Sequence, residues 1–408
     1  MRRAWLALGF AMVVSVSTSG QEAVNETVIA QIKGEAFQRS AVMDTLSWLS
    51  DVYGPRLTGS PALRQAAEWA RDQLRRWGLA NAALEPNGAT SRGWSLDRFS
   101  IEMTEPQFMR ITGYPRAWSP ALAAPLVGTP ILVDVKSTDD FETYRGTLRG
   151  AIVMNGRPEP MDIGFQPEAT RLSDDELKKQ EGQVDPAAAV TSRPTRSFWD
   201  EHDEFVGRLD KQREIYEFFA REGVAALVVP SDISENVLTA GFYDWHWHPA
   251  YPGFVLSREH YGRIVRMLDR KQPVKIALSL NVRMVDRVEG FNLVAEIPGM
   301  DPLLRSEVVM LGGHLDSWHA GTGATDNGAG SAVAMEAMRI LKAIGVQPRR
   351  TIRIALWTGE EQLYFGSIGY VERHFADLKR MVLKPEHATL AAYFNLDGGS
   401  GRIRGINL

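Results

Sequence analysis

The chain has 408 residues, with 46 Lys and Arg against 50 Asp and Glu, a formal net charge of −4, 44% hydrophobic residues and 24% charged residues. That balance gives no basic surface for nucleic acid or an anionic membrane, and the length suits two or three domains. Cysteine is absent, which excludes thiol catalysis and thiolate metal sites.

Arg2 and Arg3 precede an apolar run from Ala4 to Val16, and Ser17–Gly20 are small. This is the outline of a secretory signal over residues 1–20; the run is short for a membrane span, which needs roughly 20 apolar residues. An uncleaved anchor is the alternative. The expected localisation is secreted or periplasmic, with no membrane span after signal removal. Asn25-Glu26-Thr27 matches a glycosylation sequon, a weak signal.

Helical apolar spacing follows from Val24 to Tyr53, through Ile29, Ile32, Phe37, Val42, Leu46 and Leu49. Ser60 as N-cap, Pro61 in the first turn and Gly78 as terminator bracket a second helix, with Leu63, Ala67, Ala70 and Leu74 on its inner face. Trp94–Met109 alternates as one or two strands would. From about Gly128 the character changes to short β-type runs: Pro130–Val135, Ala151–Met154, Ala225–Val229 and Phe254–Leu256. A polar stretch over 156–203 leads into a charged helix predicted at Glu204–Glu222, Ile276–Val285 closes the unit, and a strand starting at Gly290 returns to the first domain. Residues 128–287 therefore read as an insert within a discontinuous domain of residues 24–127 and 288–408.

The most informative stretch is Val308–Asp397. Apolar runs at Val308–Leu311, Ile352–Trp357 and Ala391–Leu396 alternate with helix-length segments, predicting β-α-β-α-β and a parallel sheet. Each run is followed by metal-binding residue types: His314 and Asp316, with Asp326 in the next loop; Glu360 and Glu361; then Asp397. Strand carboxyl ends are where ligands gather, so these residues should converge. Taken singly, His314 is a strand-end histidine, Asp326 a helix N-cap, Glu360-Glu361 a solvated helix start and Asp397 a turn residue. Taken together, in this order, His314, Asp326, Glu361 and Asp397 read as ligands of one or two zinc ions. Of two adjacent carboxylates, one can bind metal while the other takes a proton from water. Asp316 either fixes the His314 tautomer or caps the turn. Two further histidine features carry the weaker ligand reading: His374, on the helix after the glutamates, and His246 with His248 in GFYDWHWHPAYPG, an aromatic lip or packed interface segment.

GGHLDSW, ATDNGAGSA, TGEEQLYFGS and NLDGG, in that order, resemble the co-catalytic zinc exopeptidases with aminopeptidase and glutamate carboxypeptidase members. YGPRLTGSPAL resembles their N-terminal signature, so the likeness extends over 45–125 and 290–408. RGAIVMNG and REGVAALVVPSD resemble a protease-associated domain, and the insert position with HLDSW resembles the plasma glutamate carboxypeptidase (carboxypeptidase Q) branch. The implied fold is α/β: a mixed, largely parallel sheet with helices on both faces and an inserted β-rich protease-associated domain. The resemblance implies two zinc ions bridged by Asp326, with His314 and Asp397 on one and Glu361 on the other. Glu360 would be the general base for a zinc-bridged hydroxide attacking short peptides, and Asp316 the support of His314. The family pattern has a further histidine ligand well downstream of NLD; this chain ends at Leu408, so the expectation is a C-terminally truncated chain lacking that ligand. A glutaminyl cyclase on the same fold and a non-catalytic receptor-like homologue are the alternatives. A homodimer is a further expectation from the resemblance.

Overall fold

A computed structural model describes residues 24–160, 165, 171–181, 198–233, 237–239, 241–243, 247–398, 401, 403 and 405. The expected signal at 1–20 lies outside them. Helices α1 (Glu26–Gln38), α2 (Val42–Ser47) and α3 (Pro61–Arg76) come first. The helical stretch expected over 24–53 is thus interrupted at Ser40, whose hydroxyl accepts from the Val42 N–H at 3.3 Å. Asn25 caps α1 by accepting from Val28 N–H at 3.2 Å. Ser60 caps α3 through Leu63 N–H at 3.2 Å, and Gly78 follows at φ 85°, a conformation open to glycine without steric cost.

The strands are β1 (Ala80–Glu105), β2 (Met109–Arg110), β3 (Gly113–Pro115), β4 (Leu126–Gly128), β5 (Ile131–Val133), β6 (Ile152–Asn155), β7 (Ala226–Pro230), β8 (Gly253–Leu256), β9 (Lys275–Ile297), β10 (Val308–His314), β11 (Thr351–Trp357), the pair β12 (Ala376–Asp377) and β13 (Val382–Leu383), and β14 (Leu390–Asn395). The remaining helices are α4 (Phe141–Tyr144), α5 (Asp174–Glu181), α6 (Phe198–Glu222), α7 (Arg258–Asp269), α8 (Ala329–Ala343) and α9 (Phe365–His374).

The larger sheet has seven strands in the order β14-β10-β11-β9-β1-β2, with β4 also on β9. Only β10 with β11 and β10 with β14 are parallel; the pairings β11–β9, β9–β1, β1–β2 and β4–β9 are antiparallel. The expected "largely parallel" sheet is therefore corrected to a mixed one with antiparallel pairing in the majority. The β-α-β pattern spans only 308–397, whereas β1 and β9 form one long bulged antiparallel pair that alternation over a few residues does not reveal. Helices do cover both faces. Ile354 and Leu356 pack with Leu293, Ala295 and Ile297 against Leu63, Ala70, Ala332 and Met335, while Ala355 and Trp357 pack with Tyr370 and Phe375 on the other side. This is the two-residue alternation of a strand buried on both faces.

The smaller sheet has the order β3-β8-β7-β6-β5, and β5–β6, β6–β7 and β7–β8 are parallel. The expected β-rich insert is thus corrected to a small α/β layer flanked by α6 and α7. Continuous apolar runs such as Ala226-Leu227-Val228 suit strands buried on both faces, and they occur in parallel sheets more than in β-sandwiches. The second sheet already begins with β3 at Gly113–Pro115, ahead of residue 128, and β9 runs without a break across residue 287 to Ile297. Ile101 and Met103 of β1 and Ile276, Leu278 and Leu280 of β9 pack with Met154, Val228 and Phe254 of the smaller sheet, so the two layers share a core. Among the described residues no helix is long and apolar enough to cross a membrane.

Candidate metal centre

β10 lies between β14 and β11, and its last residue, His314, pairs with Trp357 at the end of β11. Three strand ends therefore open on one side, which is where the chain places its titratable residues. The strands approach closely here: a Cβ on Gly312 would stand 1.9 Å from the Ala355 carbonyl oxygen, so no larger residue fits.

His314 is buried. Its Nδ1 donates to the Asp316 main-chain oxygen at 3.1 Å and lies 3.5 Å from Asp316 Oδ1. Its Nε2 faces Asp326 Oδ1 at 2.9 Å, Asp397 Oδ1 at 3.1 Å and Glu360 Oε2 at 3.8 Å. Burial alone would lower the His314 pKa, but the carboxylates of Asp316, Asp326 and Asp397 outweigh it and hold the ring's proton far above the usual range. The His314 contact in turn depresses Asp397. Burial raises Glu360 to about 7, reinforced by the neighbouring aspartates and opposed by His314. Burial likewise raises Glu361 to about 8, with Asp316 and Asp326 adding to it.

The strand-end segments reach this geometry through buried polar contacts. Asp316 is fully buried, and its carboxylate accepts from the Thr58 hydroxyl at 2.9 Å and from the Glu360 and Glu361 N–H groups at 3.3 Å each. It thus holds the histidine and the glutamate pair in one frame. Arg56 is buried beside it; burial lowers its pKa to about 10, the charge of Asp316 opposing the drop. Its guanidinium donates to the carbonyls of Leu315, Leu49, Thr322 and Gly323 at 2.7–3.0 Å, tying the loops at both sides of the site.

Asp326 does not cap the helix that follows. It has extended backbone (φ −117°, ψ 99°), the Asp326–Asn327 peptide is cis, and its carboxylate is turned to His314. The cap is supplied one residue later, where Asn327 Oδ1 accepts from Gly330 N–H at 3.0 Å while its Nδ2 donates to the Leu396 carbonyl at 2.9 Å. Asn327 thereby docks α8 against the end of β14 and frees Asp326 for the site.

All five expected residues, His314, Asp326, Glu360, Glu361 and Asp397, converge, with Asp316 beneath them. Single donor atoms of His314, Asp326 and Glu361 lie within 4.8 Å of one another. One imidazole and several carboxylates, with Glu360 and Glu361 raised by burial and by the neighbouring aspartates, form a donor set that fits a divalent cation such as zinc. His374 stands apart: its ring nitrogens contact Glu386 and Glu85 at 2.9 Å each. His246 and Asp244 lie outside the described residues. Sequence reading missed Thr58, Arg56 and Asn327 as parts of the site. Arg56 and Thr58 are both in the YGPRLTGS signature, but nothing local in it says they face a loop more than 250 positions away. It also passed over His319, buried against Trp94 and Tyr114 with Nε2 on the Pro115 carbonyl at 2.9 Å; burial holds its pKa down at about 4.

A cavity of about 370 Å³ lies over Glu360 and Glu361, walled by Leu363 and Tyr364 and, from the smaller layer, by His202, Phe205 and Arg208 of α6. Residues 292–405 match Peptidase family M28. Carboxypeptidase Q of Bos taurus is 28% identical over 360 residues, 87% of this chain and 64% of that protein, so the chain spans less than two thirds of that relative's length. Peptidase M28 precursor from Shewanella amazonensis SB2B superposes with a TM-score of 0.54 at 21% identity, covering 92% of this chain and 83% of that one. BSAP, a zinc aminopeptidase from Bacillus subtilis, does so with a TM-score of 0.50 at 17% identity, covering 88% and 68%. At those identities the two structures establish likeness of fold.

Proposed function

We propose that the chain is a zinc-dependent exopeptidase acting on short peptides, a reading supported by the match of residues 292–405 to Peptidase family M28. The observation that carries this reading is the set of carboxylates gathered on His314 Nε2, with Glu360 3.8 Å away and free of the shorter contacts. His314 and Asp397 would hold one ion, Glu361 the second, and Asp326 both. Bound zinc would polarise the scissile carbonyl and make water acidic enough to attack at neutral pH. Glu360 then takes the proton from the attacking water and passes it to the leaving amine. A carboxylate raised to about 7 is poised for both transfers near neutral pH. Asp316 and Thr58 keep the His314 ring and the two glutamate N–H groups in position. The second layer, read as a protease-associated insert, would close the cleft through α6, excluding water and limiting substrate length.

The test is zinc content by elemental analysis together with hydrolysis of a dipeptide panel blocked at neither, one or both termini. Two zincs per chain and turnover that needs a free terminus support the reading. Bound zinc with no peptide turnover would favour a cyclase or binding function, and absence of metal affinity would overturn the site. Export is supported by the basic, apolar and small-residue order of residues 1–20. Mass spectrometry of the protein recovered outside the cytoplasm, showing a new N-terminus near residue 20, would bear on it.

A further inference from the structure

The smaller sheet has its own cavity at the carboxyl ends of parallel strands. A cavity of about 380 Å³, open to solvent on one side, lies between α6 and the ends of β6 and β7, lined by Asn155, Val229 and Pro230 from the strands, Tyr216 from α6, and Phe242. Strand carboxyl ends are the usual place for a ligand in such sheets. One side chain there is unusual: Arg116, which is 6% exposed and lines the same space. Its Nη2 donates to Tyr216 Oη at 2.7 Å and to the Phe242 carbonyl, and its guanidinium carbon stands 5.3 and 5.1 Å from the ring centres of Tyr216 and Tyr243. Its Nε is buried with no partner, and among the described residues its hydrogen bonds go to no carboxylate. Among the described residues its partners are a hydroxyl, a carbonyl and two aromatic rings, all neutral. A cation withdrawn from water in this way calls for a counter-charge, and the open side of the guanidinium is the cavity.

We propose that this cavity binds a small monocarboxylic acid with an apolar body, its carboxylate on Arg116. The apolar body fits because Val229, Phe242 and Val255 make the walls. A single negative charge fits because Asp232 stands at the rim, exposed, and would repel a phosphate or a dicarboxylate. The site is separate from the metal centre and does not depend on the peptidase reading.

The probe is phenylacetate, with phenylacetamide as its neutral counterpart and inorganic phosphate as the competing anion, titrated by calorimetry into the whole chain. The same titrations are run on the Asp326→Asn chain, whose metal centre is disabled. Saturable binding of the acid that survives Asp326→Asn, with the amide and phosphate at least about tenfold weaker, is the expected result, the size of loss following a missing charge-assisted hydrogen bond. Arg116→Met should weaken the acid by a similar factor. Val229→Trp, which leaves the arginine in place and fills the cavity, should do the same. Should either variant fail to fold by circular dichroism, the comparison of acid with amide on the Asp326→Asn chain still decides. No saturable binding, equal binding of the amide, tighter phosphate, or binding abolished by Asp326→Asn would overturn the proposal.

Discussion

Both layers open parallel strand ends onto a cavity, yet they collect opposite charge. The ends of β10, β11 and β14 bring one imidazole against several carboxylates, and the ends of β6 and β7 face a single guanidinium. Topology offers the same place twice, and the residues delivered there decide the chemistry. In the larger sheet the excess is negative, and the carboxylates answer by holding protons: Glu360 at about 7 and Glu361 at about 8. Such a site gains when a cation replaces those protons.

The contrast can be broken most severely at Glu360. Glu360→Gln should lower peptide turnover by about 10²–10⁴ while zinc content is unchanged, because only the proton carrier is removed. Unchanged kcat would strip Glu360 of that role. Next in size is Arg56→Met, which leaves four carbonyls without their donor. It should cost about 3 kcal/mol or more in urea unfolding, and a shift below about 1 kcal/mol would show that water replaces the guanidinium. Asp316→Asn should weaken zinc affinity about 10–100-fold, measured by chelator competition, since it touches the ligand and not the metal. An unchanged affinity would mean that Thr58 and the strand ends hold His314 unaided.

Glu360, Glu361 and His314 all bind protons more tightly in the folded, metal-free chain than in the unfolded one, so their contribution to stability declines as pH rises toward their folded values. His319 acts in the opposite sense, costing stability as pH falls from 6.5 toward 4, so it is silent above about 6.5. Between pH 6.5 and 8 the Tm of the metal-free chain should therefore fall, and the Tm gain on adding zinc should grow. A Tm flat across that window in metal-free protein would contradict the raised carboxylates. The smallest effect is expected at His374, whose ring nitrogens contact Glu85 and Glu386 at 2.9 Å and whose ring lies against Tyr370: His374→Ala should change stability by about 1 kcal/mol and zinc content not at all.

The convergence of the candidate ligands was legible for His314, Glu360, Glu361 and Asp397, because each lies just beyond a short apolar run and a strand end is a local address. His314 after Val308–Leu311 and Asp397 after Ala391–Leu396 could be placed on one sheet side without knowing any contact. The frame beneath them was not legible. Thr58 meets Asp316 and Arg56 meets Thr322 across long separations, and a threonine or arginine in a loop carries no mark of its partner. Asp326 shows the limit from the other side: as a residue preceding a helix it reads as a cap, and only the placement of Asn327 on Leu396 shows that the cap is elsewhere.

Sheet direction divides in the same way. The parallel core β14-β10-β11 follows from helices long enough to cross back between its strands, which is a property of the chain order. The antiparallel remainder does not, because β1 and β9 are separated by the whole smaller layer, and their pairing is chosen by burial between two cores. Local residue order was enough to carry metal-binding residue types to three strand ends and to mark a change of character near residue 128, but not to divide the two layers, since β3 already joins the smaller sheet and β9 runs through residue 287. How those ends are braced, the α/β character of the smaller layer and the placement of Arg116 at a cavity emerge only on folding, because each depends on which distant surfaces exclude water from one another.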